Sequence, residues 1–296
     1  MAAGEPPHRD AGGQDPAMSG AALAEGHVAV VTGGGSGIGR ALAIRLAQLG
    51  MRIAVVDLKR EAAEATVAAL PHPARGRAFA ADVADAGAMR RCAEAVSAAF
   101  GPVNLLCNNA GILRAGTAWT TSESDWALTL GINVRGVVNG LAAFVPGMID
   151  AGKPARILNT ASIGGLCPAP GVASYIASKY AVVGLTETLR DELAAGGHDH
   201  IGVSLLCPGG VATDIWQGAN DAGRPSDRLA RDVLQAMSAP RPDQASAEGI
   251  AGLAVEAMLA GRFWIVAAQP SLHGRIAERH RAISEAIGRD SPGLYG

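Results

Sequence analysis

Tyr175 and Lys179 stand four residues apart in ASYIASKYAVVGLTETLRDEL, residues 173–193. On a helix these two positions share one face. A free phenol has a pKa near 10 and is a poor base at neutral pH. An ammonium beside it favours the phenolate, so the pair is equipped to exchange a proton with a substrate oxygen. Tyr180 follows at once, but it is turned about 140° away at 3.6 residues per turn and faces elsewhere. Alone, the pair reads as a surface tyrosine beside a solvated lysine.

A second group of residues has the chemistry of a phosphate cradle. TGGGSGIGR, residues 32–40, lies between an apolar run and a helical pattern. Its spacing is T-G-x-x-x-G-x-G, with Gly33, Gly37 and Gly39, and Ser36 and Ile38 between them. Glycines let the backbone approach a pyrophosphate, and the helix that follows offers free N–H groups and the positive end of its dipole. A tight turn uses the same residues, so the flanking strand and helix carry the reading. Asp57 closes the next apolar run, where a carboxylate accepts from a ribose 2′-OH and repels a 2′-phosphate. The expected cofactor is therefore NAD rather than NADP, although Lys59 and Arg60 nearby would favour a phosphate.

The elements that must position these groups alternate. Short apolar, β-branched runs at 27–33, 51–58, 77–83, 103–111, 155–162 and 201–210 read as buried strands, with a seventh candidate at 262–269. Helical spacing fills 40–50, 60–70, 85–100, a long region to about 150, and 173–195. Continuous apolar strands separated by helices imply a doubly wound parallel α/β sheet in a single domain over 26–270. Residues 1–25, rich in Ala, Gly and Pro, read as a disordered tail without a secretory signal. Segment 214–245 breaks the rhythm and is a candidate substrate lid or a surface excursion, and a helix and tail occupy 271–296.

Composition excludes several classes. The 296 residues carry a net charge of −2 with no basic run, which argues against a nucleic-acid partner. No stretch approaches the roughly 18 apolar residues of a membrane span. The scattered Cys92, Cys107, Cys167 and Cys207 suit buried thiols in a reducing, cytoplasmic setting. No metal is expected, since His198 and His200 lie in a Gly-rich turn without further ligands.

TGGGSGIG, NNAG at 108–111, Asn133 in N-V-R-G, Ser162, YIASK at 175–179 and PGGVAT at 208–213 occur in the order and spacing of the short-chain dehydrogenase/reductase superfamily, which this chain resembles over about residues 26–270. The resemblance implies a one-domain Rossmann-like fold and hydride transfer between a nicotinamide cofactor and an alcohol or ketone. It implies that Tyr175 is the acid/base, that Lys179 also binds the nicotinamide ribose, and that Asn133 holds a water linking Lys179 to solvent. It places Asp82 and Val83 at adenine, Asn109, Ala110 and Gly111 beside the cofactor, and Pro208, Gly209, Val211 and Thr213 at the carboxamide. Asn108 reads equally as a structural brace. The run from Ile163 to Pro168, Leu166 included, and Trp216 are expected to join Ser162 and Tyr175 at the substrate, with Leu113 as a further candidate. Their apolar character points to a hydrophobic or aromatic alcohol or ketone. The family also implies a dimer or tetramer through helices near 123–150 and 173–195. An inactive sensor or scaffold, and an epimerase or dehydratase, are the rival classes. The first typically lacks Tyr175 or Lys179, and the second usually needs a larger C-terminal domain.

Overall fold

The computed structural model describes residues 23–213, 215, 227–239, 242 and 244–290, the last three of them without side chains. The expectation of a tail at 1–25 falls outside this range up to residue 22. Leu23, however, packs into the core and Glu25 pairs with Arg75 at 3.0 Å. Trp216 and much of the expected insertion also lie outside the described residues.

Seven strands form one sheet: β1 (Val28–Thr32), β2 (Arg52–Asp57), β3 (Gly76–Ala80), β4 (Leu105–Asn108), β5 (Ala155–Thr160), β6 (Ile201–Pro208) and β7 (Trp264–Ala267). Their order is β3-β2-β1-β4-β5-β6-β7, and every pairing is parallel. The strand order reverses between β1 and β4, and ligands bind at such a switch point, beyond the carboxyl ends of the strands.

Helices cover both faces: α1 (Gly37–Gln48), α2 (Arg60–Ala68), α3 (Ala86–Phe100), α4 (Glu123–Leu130), α5 (Gly136–Ala151), α6 (Ala173–Ala195), α7 (Arg228–Ser238), α8 (Ala247–Leu259) and α9 (Pro270–Asp290). Alternation along the strands divides the core. Ala29 and Val31 of β1 pack with Leu42 and Leu46 of α1 and Ile250 and Met258 of α8. Val28 and Val30 pack on the other face with Met89, Phe144 and Leu189 of α3, α5 and α6. Successive strand residues point to opposite faces, so a strand buried on both sides is apolar throughout. That is why these strands read as unbroken apolar runs.

The two helices α4 and α5 run on through a π-helical turn, Gly131–Arg135. Contrary to the sequence expectation, the continuous helix Glu123–Ala151 is long and apolar enough to cross a membrane by composition, with mean hydropathy 1.4 over its most apolar window. Here it packs against α3, β4 and α6.

Three buried side chains brace the centre of the sheet. Asn108 Nδ2 donates to Asn159 Oδ1 at 2.9 Å, and Asn159 Nδ2 donates to Thr186 Oγ1 at 3.1 Å. The chain of bonds ties β4, β5 and α6 together directly behind the site.

Candidate active site

The first strand ends at Thr32, whose hydroxyl accepts from the backbone N–H groups of Asn109 (3.0 Å) and Ala110 (3.2 Å). The glycine loop and the NNAG segment are thereby held side by side. Gly33 adopts φ +62°, and a Cβ there would lie 2.8 Å from Ala110 Cα. Only a glycine accepts both the left-handed backbone and the approach. Gly39 does not face the cavity. It allows α1 to pass closely over the Gly33 carbonyl and the Asn109 side chain.

Ser36 starts α1 in an extended conformation and makes no side-chain capping bond. The first N–H groups of this helix thus remain available to an anion. Asp57, at the end of β2, accepts from Gly35 N at 2.9 Å and Lys59 N at 3.0 Å. Its carboxylate shapes the loop and also lines the cavity.

Beyond the carboxyl ends of β1, β4 and β5 opens a cavity of about 730 Å³. Of the residues expected at a cofactor, Gly33, Ser36, Gly37, Ile38, Asp57, Asp82, Val83, Asn109, Ala110, Gly111, Pro208, Gly209, Val211 and Thr213 line it. Ser162, Ile163, Tyr175 and Lys179 line its other end. A nicotinamide dinucleotide fits these residues. The uncapped helix end suits its pyrophosphate, and the close seat of Gly33 on Ala110 keeps side chains out of its path.

At this second end, a short 3₁₀ turn, Ile163–Gly165, is followed by a loop and then by α6. Ser162 Oγ caps that turn, accepting from Gly164 N at 3.1 Å. Tyr175 is half-buried and hydrogen-bonded to Ser162. Lys179 is buried, with Nζ 5.6 Å from the Tyr175 ring centroid and donating to Thr160 O at 3.0 Å. Tyr180 packs instead under Arg279 of α9, 5.1 Å away.

The electrostatic expectation for Tyr175 needs correcting. Burial pushes its phenol above the ordinary value, and the bond from Ser162 offsets only part of this. Burial also pulls the Lys179 ammonium down to about 8. Withdrawal from water disfavours both charged forms, and in the free protein that effect outweighs their mutual stabilisation.

Asn133 lies behind the wall rather than on it. The π-helical turn delivers its carboxamide to the segment after NNAG. Oδ1 accepts from Ile112 N at 2.8 Å, and Nδ2 donates to Ile112 O and Ser178 Oγ, both at 2.9 Å. Ser178 Oγ in turn donates to Tyr175 O at 2.7 Å. A hydrogen-bonded path thus runs from Asn133 to the backbone of Tyr175. Leu166 is a second correction. The 3₁₀ turn leaves Ile163 at the cavity but points Leu166 into the core with Val182, Val183 and Leu205.

Several residues at the site had no sequence signal. Thr160, Gln269, Leu272 and Arg275 line the cavity; Cys167 does so as well, as a member of the expected run 163–168. Gln269 holds the loop after β6 by accepting from Gly210 N and donating to Gly210 O, each at 3.3 Å. Within the expected insertion, α7 brings Met237 to the cavity wall. Ser178 is the exception, because its place between Tyr175 and Lys179 on one helix already sets it near both. Among the described residues no group of His, Cys, Asp and Glu is arranged to hold a metal.

Comparison with known proteins accords with this geometry. The short chain dehydrogenase family model matches residues 27–223. The chain is 41% identical over 202 residues to D-threitol dehydrogenase of Mycolicibacterium smegmatis, covering 68% of this chain and 76% of that one. It is 36% identical over 232 residues to SadH of Mycobacterium tuberculosis, covering 78% and 83%. A short-chain dehydrogenase/reductase from Burkholderia phymatum, solved in complex with NAD, superposes with TM-score 0.81 at 37% identity, covering 88% of this chain and 95% of that chain. The glycine loop, the seven-stranded parallel sheet and the Tyr–Lys helix are therefore those of a family oxidoreductase, and the chain belongs to the short chain dehydrogenase family.

Proposed function

We propose that this oxidoreductase interconverts a secondary alcohol and a ketone with NAD, on a hydrophobic or aromatic substrate. One observation carries the reading: Tyr175, Ser162 and Lys179 converge on a cavity whose other end holds Asp57 and the open N-terminus of α1. Bound there, the nicotinamide supplies the acceptor or donor of the hydride. Tyr175 takes the hydroxyl proton during oxidation and returns it during reduction. Its buried, neutral phenol is ready for the second of these tasks. Ser162 hydrogen-bonds the substrate oxygen as charge develops. Lys179 contributes positive charge beneath the phenol and a donor for the nicotinamide ribose, and Asn133 and Ser178 hold the helix register.

Asp57 supports NAD, since its carboxylate would face a 2′-phosphate at close range. Asp82 and Val83 suit the adenine, and the segment from Pro208 to Thr213 suits the carboxamide. Around Tyr175 the wall is apolar, with Leu113, Ile163, Val172, Ile176, Met237 and Leu272. The four buried free cysteines fit a reducing, cytoplasmic compartment. Exposed Leu128 and Val138 on α4 and α5 fit burial in a homodimer or homotetramer.

The test is an NAD-reduction screen over aryl, terpenoid and steroid alcohols and small polyols, with Tyr175→Phe as control. Turnover of bulky apolar alcohols, lost in the variant, is expected. Activity confined to polyols, the class named for the threitol enzyme, would reject the apolar substrate. A strong preference for NADP would reject the role of Asp57.

A further inference from the structure

Two arginines stand at the substrate end of the cavity: Arg114, after the NNAG segment, and Arg275, on α9. Both are placed by one loop, the stretch between Ser162 and α6. Arg275 donates to Pro168 O at 2.9 Å. Arg114 lies two residues before Gly116, whose N–H donates to Gly171 O at 2.8 Å, beside the bridge between Gly116 and Val172. The acidic residues lining the cavity, Asp57 and Asp82, belong to the ends of β2 and β3, away from this loop. Among the described residues this end is thus an apolar wall with cationic groups and no lining carboxylate.

The two arginines differ in what they already bind. Arg114 pairs with Asp125, Nε to Oδ1 at 3.4 Å, and donates to Leu113 O. Arg275 uses its fork on one carbonyl, and no carboxylate pairs with it among the described residues. A guanidinium carries five N–H donors in a planar fork that matches a carboxylate. One bond to Pro168 pins its position and leaves further donors for a ligand.

We infer that Arg275, supported by Arg114, forms an anion subsite, and that the preferred substrate is an apolar alcohol or ketone carrying a carboxylate at the end remote from the reacting carbon. This rests on the alcohol–ketone reading of the site. The apolar body would lie along Ile163, Val172 and Leu272, and the carboxylate would meet the Arg275 fork at the mouth. Arg275 is exposed, so the interaction is screened and moderate in strength.

The experiment compares 4-acetylbenzoate with its methyl ester by calorimetric titration into the NADH complex. It also compares oxidation of the two corresponding secondary alcohols. The acid should bind the wild type more tightly than the ester, by about fivefold to tenfold, and the difference should shrink as salt is raised. Arg275→Gln should abolish that ratio and Arg275→Lys should restore part of it. Arg281→Gln, on an exposed part of the same helix, should leave the ratio alone. A wild-type preference for the ester, an equal effect of Arg275→Gln on both ligands, or no binding of either would overturn the subsite. If the acid preference in binding holds but neither alcohol is oxidised, the anion subsite stands and the alcohol–ketone reading fails.

Discussion

At the scale of residues, the site sets two titratable groups against their own burial. Tyr175→Phe removes the exchangeable proton and keeps the ring. Turnover should fall by a factor on the order of 10² to 10⁴ while NADH affinity, read by fluorescence titration, is retained. Near-normal turnover would remove Tyr175 from the chemistry. Lys179 gives a prediction about stability. Its ammonium is lowered from 10.5 to about 8 by burial. Below about 8, folded and unfolded chains both carry the proton, and the desolvation penalty is fully present. Between about 8 and 10.5 the folded chain has shed a proton that the unfolded chain still binds, so the penalty fades and stability rises with pH. Relative to Lys179→Met, the wild type should gain up to roughly 3 kcal/mol across that window. Urea titrations of both proteins at several pH values check this, and parallel curves would mean that the ammonium is not desolvated.

At the scale of elements, the hydrogen-bonded brace and the glycine loop do different work. Asn159 joins β5 to both β4 and α6, and Asn159→Ala strands the Asn108 amide in a buried layer, while the Thr186 hydroxyl keeps its bond to Val182 O. A loss of about 1–3 kcal/mol in stability is expected, with KM for NAD little changed. Gly33→Ala meets the opposite constraint. Its Cβ would press on Ala110, so the glycine loop and the NNAG segment must part. Cofactor affinity should weaken more than stability. Titration with NADH and thermal unfolding of the two variants separate these outcomes, and equal loss of affinity in both would show that the brace also shapes the cavity.

At the scale of the whole molecule, apolar surface remains on the long helix formed by α4 and α5. Val138 and Leu128 are 43% and 42% exposed, and Trp119, just before this helix, is 79% exposed. Isolated exposed apolar side chains are ordinary, and the proposed homo-oligomer is the reading under which these would be covered. Val138→Arg should shift the protein toward monomer in sedimentation velocity without loss of helical content. A wild type that sediments as a monomer at micromolar concentration would dismiss the interface.

The order of elements was legible because strands buried on both faces are apolar through their interiors, as VAVVT before its last residue and RIAVVD between its two ends are. The dinucleotide end of the site was legible for a related reason. Its glycines, Asp57 and the NNAG segment act through the local backbone at strand ends, and spacing along the chain reports that backbone directly. Tyr175 and Lys179 were legible because a helix converts a spacing of four into one face. The direction of their titration was not, since burial depends on neighbours far away in sequence. Leu166 was misplaced for want of the 3₁₀ turn that separates it from Ile163. The π-helical turn that presents Asn133, and the return of α9 that brings Leu272 and Arg275 to the cavity, left no periodic mark. Sequence determined the Tyr175–Lys179 pair with the helix that carries it, and the strands of the sheet beneath. Tertiary structure alone decided which side chains close the substrate end, because those contacts form between segments whose order in the chain does not fix their distance in space.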